Sequence, residues 1–592
     1  MRSTKLLALL SACAVLAAAA PAADEDWTTP AEGSQFQATP SYQETLEYLA
    51  RLAKHSRAIR VSSIGTSGQG RRIPLVIYSG DRAFTPAAAA RTGKPVVLVV
   101  SSIHAGECDG KDASLMILRD AALGRPGPLA GATVLFLPIY NVDGHERVSP
   151  YNRPNQDGPR EGMGFRTNAT GLDLNRDHLK LASPEARAFA RLVNEWRPQL
   201  HIDNHVTDGI DMDWVVTYAT VEAPQAPPSV DAWIRAHLPK AVASAARAGV
   251  RSGPYVDLVD GTDPTKGFES WIGGARMSNG YMALRNRASV LIEAHSYKPY
   301  RERVLADREL LLALLAEVAA DPDGLVDAVA AAERRTVEMG RPGAVPSDVV
   351  VEWKLSPQAD RAKLPIYRWE RVDSVALGRP VLRYQRGVVD EIEVPWFHAS
   401  VPAATLPRPR GYFVLPGWPQ IEERLAGHGL RFRRLERPLR AEVEVARLSE
   451  PKFETRSYQG LVGLKAKVER RRETRELPAG TLWVPADQPD FEVVVQLFEP
   501  DSPDSLTSWG LLDSVVERKE YIDPGVLDRL ATEMLADPKV AAEWKAALED
   551  PAFAADSQAR YLWWYRRTPY WDEQAGLHPV FRALSPPGDG HR

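Results

Sequence analysis

The run 96–100, Val-Val-Leu-Val-Val, is apolar throughout, with no polar alternation. A strand that is apolar at every position has both faces covered, so this run and 290–292 predict central strands of a sheet enclosed between layers of helix. Further strand-like runs fall at 60–64, 72–78, 133–139, 199–205 and 288–294. Helical stretches alternate with them: 41–55, opened by Pro40-Ser41; 109–123; and a segment opened by Ser183-Pro184-Glu185, a capping serine followed by proline at the first helical position. This alternation predicts an α/β fold, a mixed and mostly buried sheet with helices on both faces. From 301 to about 339 the pattern is helical and rich in Ala and Leu, and Gly340-Arg341-Pro342-Gly343 with Pro346 then breaks it. Short β-like runs follow at 349–353, 411–415, 440–446, 481–484 and 492–498, before a helical, Trp-rich tail. The expected organisation is a folded unit over 36–340 and a C-terminal α+β domain over 345–592 whose role the sequence leaves open.

The N-terminus adds a compartment. Met1-Arg2-Ser3-Thr4-Lys5 precedes an Ala-rich apolar run over 6–23 and then Asp24-Glu25-Asp26, the three-part plan of a secretory signal peptide over 1–22. Export to the periplasm or medium is therefore expected, with no membrane span after processing. A lipobox-like Leu10-Ser11-Ala12-Cys13 offers the alternative of a lipoprotein anchored at Cys13. Processing leaves Cys108 as the single cysteine, which excludes an internal disulfide and fits a small buried hydrophobe. With 44% hydrophobic and 25% charged residues the chain is ordinary globular protein, and a formal charge of −4 gives no footprint for nucleic acid.

The chemistry begins directly after the strongest strand, in Ser102-Ile103-His104-Ala105-Gly106-Glu107. An imidazole and a carboxylate three residues apart can converge on one metal from a strand-end loop. An ordered series follows: Asn141-Val142-Asp143-Gly144, Gly164-Phe165-Arg166-Thr167-Asn168, Gly171-Leu172-Asp173-Leu174-Asn175-Arg176, His201-Ile202-Asp203-Asn204-His205 and Ser289-Val290-Leu291-Ile292-Glu293-Ala294-His295-Ser296. His201, Asp203 and His205 alternate along a strand-like run and so share one face.

Taken in order, these segments resemble the zinc carboxypeptidases of carboxypeptidase A type, over about residues 40–320. The resemblance implies one Zn²⁺ held by His104, Glu107 and His205, with Asp173 orienting the first histidine and His201 left outside the ligand set. It implies Glu293 as the general base of a metal-activated water, and Arg166 as the group that polarises the scissile carbonyl. Asn175 and Arg176 would clamp the substrate's terminal carboxylate, with Tyr281 as the nearest match to the family's phenol beside that carboxylate. The implied activity is hydrolysis of a peptide bond next to a free C-terminal carboxylate. The alternatives are a zinc deacylase of N-acyl amino acids, of the aspartoacylase or desuccinylase kind, an amidase of peptidoglycan stem peptides, or an inert module that kept the fold.

Overall fold

The computed structural model describes residues 26–207 and 210–587, so the expected signal peptide and Cys13 lie outside the described residues. An eight-stranded mixed sheet forms the centre: β1 (Ile59–Thr66), β2 (Arg72–Tyr78), β3 (Val96–Ser101), β4 (Thr133–Leu137), β5 (Leu200–Thr207), β6 (Val216–Thr220), β7 (Ser252–Pro254) and β8 (Ala288–His295). Their spatial order is β1-β2-β4-β3-β5-β8-β6-β7, with β4, β3, β5 and β8 mutually parallel. The α/β class read from the sequence is the observed one.

The unbroken apolar runs have the predicted cause. In β3, Val97 and Val99 pack with the helices Asp109–Ala122, Pro228–Arg247 and Tyr300–Ala320, while Val96, Leu98 and Val100 pack on the opposite face with Pro184–Trp196. In β8, Val290 and Ile292 point into the first of these layers, so Leu291 and Glu293 point the other way. The C-terminal ends of the parallel strands leave this second face open, as expected for ligand sites in open α/β sheets.

The helix Pro322–Gly340 is followed by the strand Asp348–Leu355. What comes after is joined to the first half at two levels. Val349, Tyr412 and Phe498 belong to the same apolar cluster as β3 and β4, and the strands Val256–Leu258 and Phe268–Ser270 form one sheet with Asp360–Ser374 and Arg379–Phe397. The remaining long strands, β9 (Leu439–Phe453) and β10 (Leu464–Leu477), make an antiparallel hairpin. Among the described residues no helix is long and apolar enough to cross a membrane. Cys108 is fully buried, and its thiol is pushed up to about 12 by burial and by Asp109 and Asp112, so it is chemically quiet.

Candidate active site

β3 is followed by Ser102, held at φ +56°, and the chain turns sharply there so that the Glu107 amide donates to the His104 carbonyl at 2.9 Å. Left-handed backbone at a residue other than glycine costs free energy and is retained where the surrounding structure over-determines it, commonly at functional sites. Asn141 ties this turn to its neighbour: its side-chain amide donates to the carbonyls of Ile103 at 3.3 Å and Arg166 at 3.1 Å, and its oxygen accepts from the Gly144 amide at 2.9 Å. The Asn141-Val142-Asp143-Gly144 element therefore fixes the His104 loop against the Arg166 loop.

Close approach of backbones explains the glycine inside the turn. A Cβ on Gly106 would lie 2.6 Å from the Gly164 carbonyl oxygen and 2.8 Å from Arg153 Cγ. We expect Gly106→Ala to swing Glu107 out of place and weaken zinc binding by about 10-fold or more, on the scale of losing an orienting partner. Zinc titration of the folded variant checks this, and an unchanged affinity would contradict the packing argument.

His104, Glu107 and His205 converge, their donor atoms all lying within 4.8 Å of one another. The two Nδ1 atoms are 3.3 Å apart, Glu107 Oε1 is 3.1 Å from His104 Nδ1, and Glu107 Oε2 is 2.9 Å from His205 Nδ1. Two nitrogens bound tetrahedrally at the usual zinc distance of about 2.0–2.1 Å stand roughly 3.3–3.4 Å from each other. The other nitrogen of each ring is occupied: His104 Nε2 lies 3.1 Å from Asp173 Oδ1, and His205 Nε2 lies 2.9 Å from Asp203 Oδ2. A carboxylate behind each imidazole fixes its tautomer and turns Nδ1 toward the common point, the arrangement expected behind metal-binding histidines. The residues present therefore fit a zinc ion.

The electrostatics agree with that fit. Burial would raise the Glu107 carboxyl, but His104 and Arg153 hold it well below its ordinary range. Burial alone would lower His205, and Asp203 together with Glu107 outweighs it and raises the ring well above its ordinary value. The raised value favours the protonated ring, and a metal binding at Nδ1 must displace that proton. We expect zinc uptake at pH 7 to release at least one proton, fewer as the pH rises above the His205 value. Calorimetric titration in two buffers of different ionisation enthalpy reads this directly, and a buffer-independent heat would contradict it.

A cavity of about 640 Å³ opens on this triad, lined also by Arg166, Asn175, Arg176, Leu291 and Glu293. Glu293 stands opposite His205 in the parallel β5–β8 register. Arg166 donates to Asp173 Oδ2 from Nε at 3.0 Å and Nη2 at 2.8 Å, so one carboxylate orients both His104 and Arg166. Burial would raise Asp173, and His104, Arg166 and Arg176 hold it far below the carboxylate range. Asn175 Oδ1 accepts from the Ser278 amide at 2.9 Å. His201 stays outside the triad, hydrogen-bonded through Nδ1 to Ser289 at 2.9 Å.

Tyr281 is not with the others. It is fully buried in the apolar layer, its hydroxyl accepting from Arg285 at 2.7 Å and lying 2.9 Å from His428 Nδ1. The short helix Ser278–Leu284 turns this side chain inward, which sequence spacing does not reveal. The aromatic side chains lining the cavity are instead Phe165, Tyr255 and Trp271, and the last two also wall a second cavity of about 580 Å³ containing Trp214, Tyr218 and Trp396.

Three contributors escaped the sequence reading. Arg153 places Nη1 2.9 Å from Glu107 Oε1 and donates from Nη2 to the Val206 carbonyl at 2.8 Å. Nothing in the Asn152-Arg153-Pro154 loop marks it as such. From the C-terminal half, Gln459 accepts from the Asp173 amide at 2.8 Å, and Tyr458 accepts from Arg176 Nε at 3.2 Å.

Two histidines and a glutamate with second carboxylates behind them, at the open strand ends of an α/β sheet, define a metal-dependent hydrolase. Residues 45–199 match the family model of the zinc carboxypeptidases, and together with the Trichophyton relatives this supports a metallocarboxypeptidase hydrolase. Carboxypeptidase 2 of Trichophyton rubrum is 23% identical over 492 residues, 80% of this chain and 84% of the relative. Carboxypeptidase 2 of Trichophyton equinum is 22% identical over 520 residues, 83% of this chain and 88% of the relative. Both matches are longer than the 36–340 segment expected from the sequence to form one unit, and so extend into the C-terminal half. Among solved structures, a metallo-carboxypeptidase from Burkholderia cenocepacia is 16% identical with a TM-score of 0.36, over 48% of this chain and 70% of that one. Carboxypeptidase A from Helicoverpa armigera is 18% identical, also with a TM-score of 0.36, over 50% of this chain and 75% of that one.

Proposed function

We propose that the protein is an exported, single-zinc carboxypeptidase that removes residues from the free C-terminal end of peptides. The observation that supports this most is the opening of His104, Glu107, His205, Glu293, Arg166, Asn175 and Arg176 onto one cavity. Zinc held by the triad supplies Lewis acidity, which activates water and polarises a carbonyl near neutral pH. The chain's own groups do the rest. Glu293 takes the proton of the attacking water and passes it to the leaving amine. Arg166, already oriented by Asp173, faces the oxygen on which charge develops. Asn175 and Arg176 hold the substrate's terminal carboxylate, a task suited to a planar guanidinium. Tyr281 has no part in this reading.

The cavity and its aromatic-walled neighbour favour a peptide over a small N-acyl amino acid. An N-acyl aspartate would leave most of that space empty, whereas a peptide with apolar side chains fills it against Tyr255 and Trp271. We expect Arg176→Ala to lower kcat/KM on free-carboxylate peptides by about 10²-fold, the scale of a charge-assisted bidentate contact of roughly 3 kcal/mol. Initial rates on free and C-terminally amidated forms of one peptide test the assignment, because equal effects on both would remove Arg176 from carboxylate recognition.

A further inference from the structure

We propose that the C-terminal half completes the active site through residues Tyr458 and Gln459, which act as positioning residues for Arg176 and Asp173; the Arg176 part rests on the carboxylate-binding role given to that arginine above. Beyond the β9–β10 ladder the connecting segment folds into its own two-residue turn. Tyr458 and Leu461 exchange backbone hydrogen bonds of 2.8 and 3.2 Å, and between them Gln459 and Gly460 have φ of +53° and +77°. A turn with two positive φ values is normally filled by Asn, Asp or Gly. Glutamine in the first place is strained, and what it gains is the Asp173 contact: Gln459 Oε1 accepts from the Asp173 amide at 2.8 Å across 286 residues of sequence. That amide belongs to the residue whose two carboxylate oxygens orient His104 and Arg166. Displacing it would therefore loosen one metal-facing imidazole and one active-site guanidinium together.

The neighbouring residue holds the carboxylate clamp. The Tyr458 hydroxyl accepts from Arg176 Nε at 3.2 Å, and among the described residues the other hydrogen bond of the Arg176 guanidinium is local, Nη1 to the Asn175 carbonyl at 2.8 Å. Tyr458 is about half exposed, yet its ring is not loose. It lies parallel to Trp509, with centroids 6.0 Å apart and planes 7° apart, and the Arg276 guanidinium sits 6.0 Å from one ring and 4.7 Å from the other. Arg276 in turn is held by Asp504, which accepts from its backbone amide at 3.0 Å and pairs with its Nε. A stacked, cation-covered tyrosine is thus carried to the far side of Arg176 by a hairpin that begins more than 250 residues downstream, which gives the C-terminal half a function in setting the geometry of the clamp.

The test uses the full chain and two conservative variants. Gln459→Gly relieves the turn while deleting the amide contact, and Tyr458→Phe keeps the ring stack while deleting the hydroxyl. We expect Gln459→Gly to melt no lower than wild type yet bind zinc about 10-fold more weakly, as for other orienting partners. We expect Tyr458→Phe to raise KM for free-carboxylate peptides about five-fold or more with kcat within two-fold, a split that a general structural defect would not produce. Zinc affinity and KM both within two-fold of wild type in these folded variants would overturn the proposal. The zinc arm is independent of substrate: if Arg176→Ala leaves peptide recognition unchanged while Gln459→Gly still weakens zinc, the carboxylate-binding reading fails and the hold on Asp173 stands.

Discussion

Replacing Glu293 by glutamine is expected to lower kcat by about 10³-fold, within the range for loss of a general base, while zinc remains bound. The separation of the two effects follows from position. Alternation along β8 aims Glu293 into the cavity, whereas the metal donors come from the turn after β3 and from β5. Burial is the largest influence on its carboxyl and raises it, the negative charges of Glu107 and Asp203 raise it further, and His205 offsets part of this. The raised value means a proton is retained to higher pH in the metal-free protein. A bound dication favours the ionised form, so the residue becomes a base when the metal is present. Metal content and single-turnover rates on purified Glu293→Gln provide the check, and wild-type turnover would refute the mechanism.

His205→Ala is expected to lose the metal itself, with an affinity loss well beyond the roughly 10- to 100-fold that removal of an outer partner costs. Activity should fall to background and return only in part at high zinc. The truncation also strips Asp203 of the imidazole that holds it as a carboxylate, leaving a buried charge without its main partner. A drop in thermal stability therefore accompanies the loss, and His205→Gln, which keeps a hydrogen-bonding group there, separates the two effects. Zinc bound stoichiometrically and tightly by either folded variant would exclude His205 from the donor set.

Where local pattern determines structure, the sequence was legible. The runs in β3 and β8 are apolar throughout because helices cover both faces, and the switch from Ile292 to Glu293 marks where one face opens. Asp203 and His205 are two apart on a strand, so their pairing could be anticipated from the pleat. The metal-facing turn was legible because His104 and Glu107 are close in sequence and follow the strongest strand directly. What was not legible depends on long-range packing. Tyr281 has a suitable place before Glu293 in sequence, but the helix that carries it rotates the ring into the core toward His428. The strands Val256–Leu258 and Phe268–Ser270 complete a sheet with a hairpin more than 100 residues later, which no local pattern announces. Tyr458 and Gln459 reach Arg176 and Asp173 across more than 280 residues, so the boundary near 340 in the chain is not a boundary of the active site.

Hydrolysis at a free C-terminal end is the activity proposed for this metal centre. The most direct measurement is mass spectrometry of products from zinc-loaded protein given one peptide in two forms, with a free carboxylate and with a C-terminal amide, beside an N-acyl amino acid. Stepwise loss of the terminal residue from the free form is expected, abolished by chelation, with the amide and the N-acyl amino acid left intact. Equal cleavage of both peptide forms, or hydrolysis of the N-acyl amino acid alone, would contradict it.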